Sequence, residues 1–172
     1  MVTSPQENDV MSVKIDLSRT DLRGLDAPGI DLHQTLLKRA NLSRADLKDA
    51  NLNEADLTEA GLIETDLIGA NLTGANLTGA NLNGACLNRA NLTGADLNGA
   101  DLRGAHLFEA NLSRANLSGA ELKDVRNLTQ EQVNGIRYHR DHPPFNLPEG
   151  LTLPEPYDAM DDEECLPQEP AG

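Results

Sequence analysis

Hydrophobic residues recur every five positions along this chain, from Ile15 to Leu122. If the central residue of each five is numbered i, stepping from Leu17 to Leu122 gives 22 central positions, and 21 of them are leucine. Only Ala27 departs from this rule. Position i−2 is alanine in 16 of the 22 repeats, and the remaining positions are mostly polar. The body of the chain is therefore one short motif repeated many times, which has to be interpreted before any local propensity.

The five-residue spacing excludes both regular secondary structures. In an α-helix a step of five residues turns by about 140° net, so successive leucines would form no stripe. In a straight strand, positions i−2 and i share a face, but the next i−2 lies three residues further on and points to the opposite face. The conflict disappears if the backbone bends once per repeat, at i+1 and i+2. The pattern predicts short extended stretches, with alanine and leucine facing inward, separated by corners.

Glycine occupies the corner position i+2 in 10 of the 22 repeats. A type II turn needs a positive φ at this position, and glycine adopts it at little cost. In the early-middle part of the chain the same corner holds residues that resist a positive φ: Arg39, Arg44, Asp49, Glu54, Glu59 and Glu64. We therefore predict a different turn geometry in that region, and hence two kinds of coil.

The motif A-(N/D)-L-x-x is cleanest from Ala70 to Gly104, as in Ala70-Asn71-Leu72 followed by Thr and Gly. Over residues 10–126 the chain resembles the pentapeptide repeat proteins. This resemblance implies an all-β solenoid, a right-handed quadrilateral β-helix with four pentapeptides per coil. The number of repeats would then give about five to six coils, and a rod about 26 Å long at ~4.8 Å per coil. Members of that family are numerous in cyanobacteria, and most have no known biochemical activity.

The five-residue phase decays after Leu122, where a different segment begins. Thr129 followed by Gln132 resembles a capping box, and Val133 with Ile136 gives one apolar face. We predict a short helix from Gln130 to about residue 138, within a capping segment of residues 127–142. Such a cap would cover the end of the coil, where bare leucines and unpaired strand edges favour aggregation.

Both ends of the chain have a different composition from the repeats. Residues 143–172 carry seven of the nine prolines and an acidic run, which is typical of an extended tail. We expect its first part to pack on the coil and the rest to be disordered. The packing residues would be Phe145, Leu147, Leu151 and Leu153. Residues 1–9 are polar and are also expected to be disordered. Neither a signal peptide nor a membrane-spanning stretch is visible, so a cytoplasmic location is expected.

The net charge of −14 lies mainly outside the repeats. Residues 14–126 carry a net charge of −4, whereas residues 127–172 carry −8. No basic patch is present, which argues against a nucleic-acid partner. Some members of the resembled family mimic DNA with a strongly acidic rod and bind DNA gyrase, so a gyrase-binding regulator is the alternative function. One stacked column holds Asp31, Asn51, Asn71, Asn91 and Asn111, and we interpret it as a structural ladder of amide groups.

No set of residues indicates catalysis, a cofactor or a metal. Cys86 and Cys165 make neither a disulfide framework nor a zinc site, and we interpret both as free thiols. His139 and His142, with Asp141 between them, could at most chelate a metal weakly because a third ligand is missing. A tube filled with side chains also lacks a substrate pocket. We therefore expect no enzymatic activity and no cofactor.

Three outward-facing apolar residues form the candidate interaction surface: Ile63, Ile68 and Phe108. They would pack against the tail, contact a partner protein, or be isolated exposed residues without a role. The leading prediction is a non-catalytic scaffold or protein-interaction module, monomeric or weakly dimeric, whose protein partner the sequence does not name. A peptide ligand within the tail, displayed by an inert coil, is a further alternative.

Overall fold

The repeats wind into a four-sided coil that completes one turn every 20 residues. In the computed structural model, which describes residues 14–157, parallel bridges join residue i−1 of one repeat to its equivalent 20 positions on. Asp16 pairs with Leu36 in this way, and Asn51 pairs with Asn71. Each repeat contributes one bridging residue, so the strands are single bridges separated by turns. We number the four sides 1 to 4 by their central residues, which lie 20 positions apart and include Leu37, Leu42, Leu47 and Leu52 respectively.

Backbone hydrogen bonds connect successive coils along the axis of the rod. The N–H of each central residue donates to the carbonyl of position i−1 in the next coil, as Leu72 does to Asn91 at 2.7 Å. The N–H at the corner position i+2 also donates to the next coil, as Gly74 does to Thr93 at 3.0 Å. These two N–H groups of each repeat therefore point toward the C-terminal end of the rod, so those of the last coil need acceptors from the segment that follows it.

The interior of the rod contains leucine and alanine alone at most levels. The central leucines from Leu37 to Leu122 are at most 2% exposed, and the alanines from Ala40 to Ala120 are at most 4% exposed. Each repeat thus buries one large and one small side chain, which fills a narrow tube without aromatic rings. Thr65 takes an alanine position, and its buried hydroxyl donates to the carbonyl of Leu42 at 2.8 Å. Burial of each leucine contributes roughly 2 kcal/mol.

The corners have one geometry throughout, so the prediction of two kinds of coil is wrong. In all 22 repeats the N–H of position i+3 donates to the carbonyl of i, and position i+2 has a positive φ. The six charged corner residues from Arg39 to Glu64 have φ between 54° and 61°, close to the glycine corners at 63° to 71°. A positive φ costs a residue with a Cβ atom about 1–2 kcal/mol. The axial hydrogen bonds and the leucine register require the same turn in every repeat, and they outweigh this cost.

The side chain at i−1 stabilises the turn that follows it. Every Asp and Asn at this position accepts a hydrogen bond from the N–H two residues on, except Asp26. Asp26 has no such donor because the residue two positions on is Pro28. The ladder predicted along the asparagine column is present between Asp31 and Asn51 (2.9 Å) and between Asn51 and Asn71 (3.4 Å). The local Asx turn is therefore the more regular role of these side chains.

One helix follows the repeats, and it is shorter than the predicted one. Helix α1 spans Gln130–Asn134, and Thr129 and Gln132 form a complete capping box at its start. It ends before Gly135 because the next residues return to the pairing pattern of the coil. Arg137 forms a bridge with Asn116, and its N–H donates to the carbonyl of Ala115 at 2.8 Å. Val133 and Ile136 cover the leucines of the last coil and are at most 6% exposed.

Residues 143–157 complete the C-terminal end. Leu147, Leu151 and Leu153 are half-buried against the core, whereas Phe145 is 48% exposed and contributes mainly its backbone to the coil. Tyr138 anchors this segment, since its hydroxyl donates to the carbonyl of Pro154 at 2.8 Å. The predictions of disorder for residues 1–9 and for the last part of the tail fall outside the described residues. Among residues 14–157, no helix is long and apolar enough to cross a membrane.

Candidate interaction surface

The structure places the three predicted surface residues on two different sides of the rod. Ile63 lies on side 2 and is 38% exposed, and Phe108 lies on side 3 and is 45% exposed. Ile68 also lies on side 3, but it is partly buried and less exposed than the other two residues. Asn88 separates Ile68 from Phe108 in this column, and its Oδ1 accepts the N–H of Phe108 at 3.0 Å. Ile68 and Phe108 therefore share one column about two coils apart, whereas Ile63 occupies a separate corner.

Ile63 borders a shallow depression of about 660 Å³ near the N-terminal end of side 2. Asp21, Arg23, Ser43 and Arg44 also line it. Arg23 forms a two-pronged ion pair with Asp21, with Nε and an Nη atom at 2.8 and 2.7 Å from the carboxylate oxygens. This depression is polar and open, and Ile63 is its one large apolar residue.

Phe108 borders a groove of about 630 Å³ between the last coil and helix α1, which we call the cap groove. Leu112 and Leu128 provide further apolar surface, and Glu109 and Glu131 are the charged residues of its lining. Gln132 of the helix reaches into the groove region, where its Nε2 donates to the carbonyls of Leu107 and Ala110 at 2.7 and 2.8 Å. The helix is thus attached to the coil through the Gln132 side chain and, just past its C-terminal end, through the hydrogen bond from the N–H of Arg114 to the carbonyl of Gly135 at 2.7 Å.

The cap groove lies where the axial ladder stops early. The last residue of the column on side 1 pairs with Arg137, that on side 2 with Phe145 and that on side 3 with Arg126, whereas Asn111 on side 4 has no bridge above it. Accordingly, the N–H groups of Glu109 and Leu112 have no hydrogen-bond partner within residues 14–157. The equivalent groups one coil below donate to the next coil, so these two N–H groups point toward the groove.

Sequence reasoning missed the cap groove, although a signal was present. The five-residue periodicity ends after Val125, so the residues that would continue side 4 fall within the predicted helix. Residues 130–134 form a helix instead of an extended strand, and none of them makes a bridge with Asn111. The position of Phe108 next to the missing bridge on side 4 could have been predicted from the 20-residue stacking. The unpaired N–H groups of Glu109 and Leu112 could not.

Several charged side chains on the rod are paired with opposite charges in neighbouring coils. At the corners, Arg39 pairs with Glu59 at 2.7 Å and Arg89 with Glu109 at 2.8 Å. Lys48 lies between two acidic residues of one column, with Nζ 2.8 Å from Asp46 and 3.1 Å from Asp66. The hydrogen bonds of Lys48 raise its pKa; the bond with Asp46 has the larger effect and the bond with Asp66 the smaller one. The longest run of acidic residues on the rod is therefore partly neutralised.

The other candidate chemical groups remain isolated. Cys86 is a half-buried free thiol on side 3, and Cys165 lies outside the described residues. The rings of His139 and His142 are 5.7 Å apart, and His139 Nδ1 is 3.8 Å from the Asp141 carboxylate. Within residues 14–157, no group of three His, Cys, Asp or Glu side chains could hold a metal ion.

Comparison with known proteins identifies the family of this coil. The family model described as pentapeptide repeats matches residues 15–53, 55–94 and 85–124, in eight copies. The chain belongs to the pentapeptide repeat family. The proteins of this family are right-handed β-helices, in agreement with the four-sided coil and its 20-residue turn. No curated protein sequence matches the chain.

Solved structures of other pentapeptide repeat proteins resemble this one. A pentapeptide repeat protein from the Arabidopsis thaliana thylakoid lumen is 34% identical, with a TM-score of 0.53, over 64% of this chain and 72% of that chain. HetL, a pentapeptide repeat protein involved in heterocyst differentiation regulation from the cyanobacterium Nostoc sp. strain PCC 7120, is 28% identical. The match covers 72% of this chain and 86% of the HetL chain, with a TM-score of 0.34. QnrB1, a plasmid-mediated fluoroquinolone resistance protein, is 20% identical over 87% of this chain and 80% of that chain, with a TM-score of 0.40.

Proposed function

We propose that this pentapeptide repeat protein is a non-catalytic protein-interaction module, and that the sides of its rod are the binding surface. The observation that carries this proposal is the fixed conformation of the outward side chains. Thr73, for example, donates its hydroxyl to Asn71 Oδ1 at 2.7 Å, while the same oxygen accepts the Thr73 N–H at 3.2 Å. A surface that is already ordered loses little conformational entropy when a partner binds.

Two exposed apolar side chains give this ordered surface possible anchor points. Phe108 and Ile63 project from positions that are polar in most repeats, and both retain more than a third of their exposure. Buried aromatic anchors commonly contribute most of the binding energy at protein interfaces. Leu147, Leu151 and Leu153 of the tail pack against the buried core, to which neither Phe108 nor Ile63 belongs. This arrangement favours a partner protein over the tail as their contact.

The alternative of a DNA mimic that binds gyrase receives less support from the surface charges. A DNA mimic needs a continuous stripe of unpaired negative charge. Here Lys48 bridges Asp46 and Asp66, and Cys86 and His106 follow them in the same column. This column is therefore not a continuous stripe of unpaired negative charge, which fits an ordinary protein surface better than a DNA mimic.

A quantitative capture experiment would test the proposed function. We would immobilise the protein, incubate it with extract of its native host, and measure each captured protein for the wild type and for the variants Phe108→Ser and Ile63→Ser. Thr93→Ser is the matched control, because it changes an outward residue on side 4 and keeps the hydroxyl. We expect at least one partner to be lost with an apolar variant and retained with the control.

The tail should be tested with a truncation that leaves the cap intact. A chain ending at Tyr157 keeps the half-buried Leu151 and Leu153, which a chain ending at His142 would remove from the core. A partner lost only on truncation after Tyr157 would contradict the proposed surface and support a ligand in the tail. Equal capture by all variants would contradict a role for Phe108 and Ile63.

A further inference from the structure

We propose that the cap groove binds an extended peptide segment of a partner protein, which carries one bulky apolar side chain next to basic residues. This proposal rests on the proposed function, since it names one binding site on the interaction module. The groove lies between the last coil and helix α1, beside Phe108. Its volume of about 630 Å³ is within the range of about 300–1,000 Å³ that ligand sites in proteins have.

The first reason is the free strand edge at the floor of the groove. The N–H groups of Glu109 and Leu112 have no partner among the described residues, although the equivalent N–H groups of Arg89 and Leu92 donate to the coil above them. Between Glu109 and Leu112 the edge of the coil therefore has two donors that are unpaired within residues 14–157, whereas the following corner N–H, that of Arg114, is already bonded to the carbonyl of Gly135. Extended peptides bind to exposed sheet edges of this kind by completing the backbone hydrogen bonds.

The second reason is that this edge offers donors but no acceptors. The carbonyl of Ala110, which would accept from a following strand, already receives a hydrogen bond from Gln132 Nε2 at 2.8 Å. The same Nε2 occupies the carbonyl of Leu107 at 2.7 Å. A ligand for the groove must therefore present acceptors, and the backbone carbonyls of an extended peptide provide them at regular spacing.

The third reason is the charge of the lining. Glu109 and Glu131 are the charged residues that line the groove, and no basic residue lines it. Arg89 pairs with Glu109, whereas Glu131 has no ion-pair partner within residues 14–157. Free carboxylates and phosphates, which are also acceptors, would be repelled by this lining. A neutral peptide carbonyl is accepted, and a nearby lysine or arginine on the peptide is favoured.

The fourth reason is the apolar wall. Phe108 is 45% exposed, and Leu128, which also lines the groove, is half-buried. An apolar side chain bound in the groove would remove part of this apolar surface from water, which favours binding. Side chains alternate across an extended peptide, so one face can carry the apolar residue while the other carries the basic ones.

A binding assay with a synthetic peptide tests this assignment on the full chain. The probe is a short, blocked, fluorescent peptide of alternating leucine and lysine, and its anisotropy is measured during titration with the protein. We expect saturable binding, which weakens about tenfold or more in Phe108→Ser and several-fold in Glu131→Gln. Ile63→Ser is the matched control, since it removes a comparable exposed apolar residue on another side, and its affinity should equal that of the wild type.

Two further measurements separate the cap groove from unspecific attraction to an acidic protein. A peptide of alternating leucine and glutamate should bind at least about tenfold more weakly, because Glu109 and Glu131 repel it. Amide NMR signals of Glu109 and Leu112 should shift on binding of the lysine peptide. Equal affinities of Phe108→Ser and Ile63→Ser, unchanged signals at Leu112, or no binding at all would each overturn the proposal. If the capture experiment then still shows a partner lost with Ile63→Ser, the proposed function stands without this site.

Discussion

Replacement of one central leucine by alanine tests how the stacked interior stabilises the rod. Leu77 on side 1 is fully buried, and its equivalents one coil below and above, Leu57 and Leu97, are at most 2% exposed as well. Leu77→Ala removes three carbon atoms, which corresponds to about 2.4 kcal/mol at about 0.8 kcal/mol for each buried methylene. A term for the cavity adds to this transfer term.

The cavity should be nearly fully retained at this position. The backbone on either side of Leu77 is held by the bond from Leu77 N to Asp96 O at 2.7 Å and by that from Asn76 N to Ala55 O at 2.9 Å. Neighbouring side chains therefore cannot move inward without breaking the axial ladder. We expect a loss of roughly 3–5 kcal/mol, in the upper part of the range seen for buried leucines.

Urea denaturation followed by circular dichroism measures this loss as a change in the free energy of unfolding. The matched variant is Leu17→Ala in the first described coil, where the same side chain is partly exposed and no described residue lies below it. That variant should cost roughly 1–2 kcal/mol less than Leu77→Ala, since its surroundings can relax and water already reaches the site. Equal losses for both variants, or a loss below about 1.5 kcal/mol for Leu77→Ala, would refute the account of a tube held rigid by its ladder.

Four further predictions follow from the corners, the cap and the surface charges. Gly79→Ala should destabilise the fold by about 0.5–1 kcal/mol in urea denaturation: the positive φ of +65° costs about 1–2 kcal/mol, the lower entropy of the unfolded chain offsets part of it, and Cγ of Glu59 at 3.5 Å leaves room for the Cβ atom. Gln132→Ala should cost about 1–3 kcal/mol in the same assay, since it leaves the carbonyl of Ala110 without its donor and removes the side-chain donor from the carbonyl of Leu107. The hydrogen bond from Lys48 lowers the pKa of Asp46. The ionised Asp46 therefore stabilises the folded state above pH about 4, and this contribution is lost as the pH falls through the lowered pKa. The melting temperature should fall in acid, and it should fall less in Asp46→Asn. DNA supercoiling by gyrase should be unchanged when micromolar protein is added; inhibition would instead support the DNA-mimic alternative.

The amino-acid sequence by itself determined the body of the fold. A repeat of five is incompatible with a straight helix or strand, and leucine at one position with alanine two before it identifies the inward side. The central leucines from Leu37 to Leu122 are all buried, and so are the positions two before them, where Thr35 and Thr65 replace alanine. The Asx turns could also have been read from the sequence, since Asp or Asn precedes most corners and the only one that makes no such bond, Asp26, is followed by Pro28.

The tertiary structure alone decided the corner geometry and the C-terminal end. A local propensity near 1–2 kcal/mol argues against a positive φ at Glu59, but each corner belongs to a ladder that all coils share, and this collective constraint prevails. Helix α1 ends at Asn134, earlier than its pattern suggested, because Arg137 finds a strand partner in Asn116. Because helix α1 stands where a further strand would follow, the N–H of Leu112 remains unpaired among the described residues, beside Phe108. A periodic sequence specifies the interior of a solenoid, whereas its ends depend on which backbone groups happen to meet a partner.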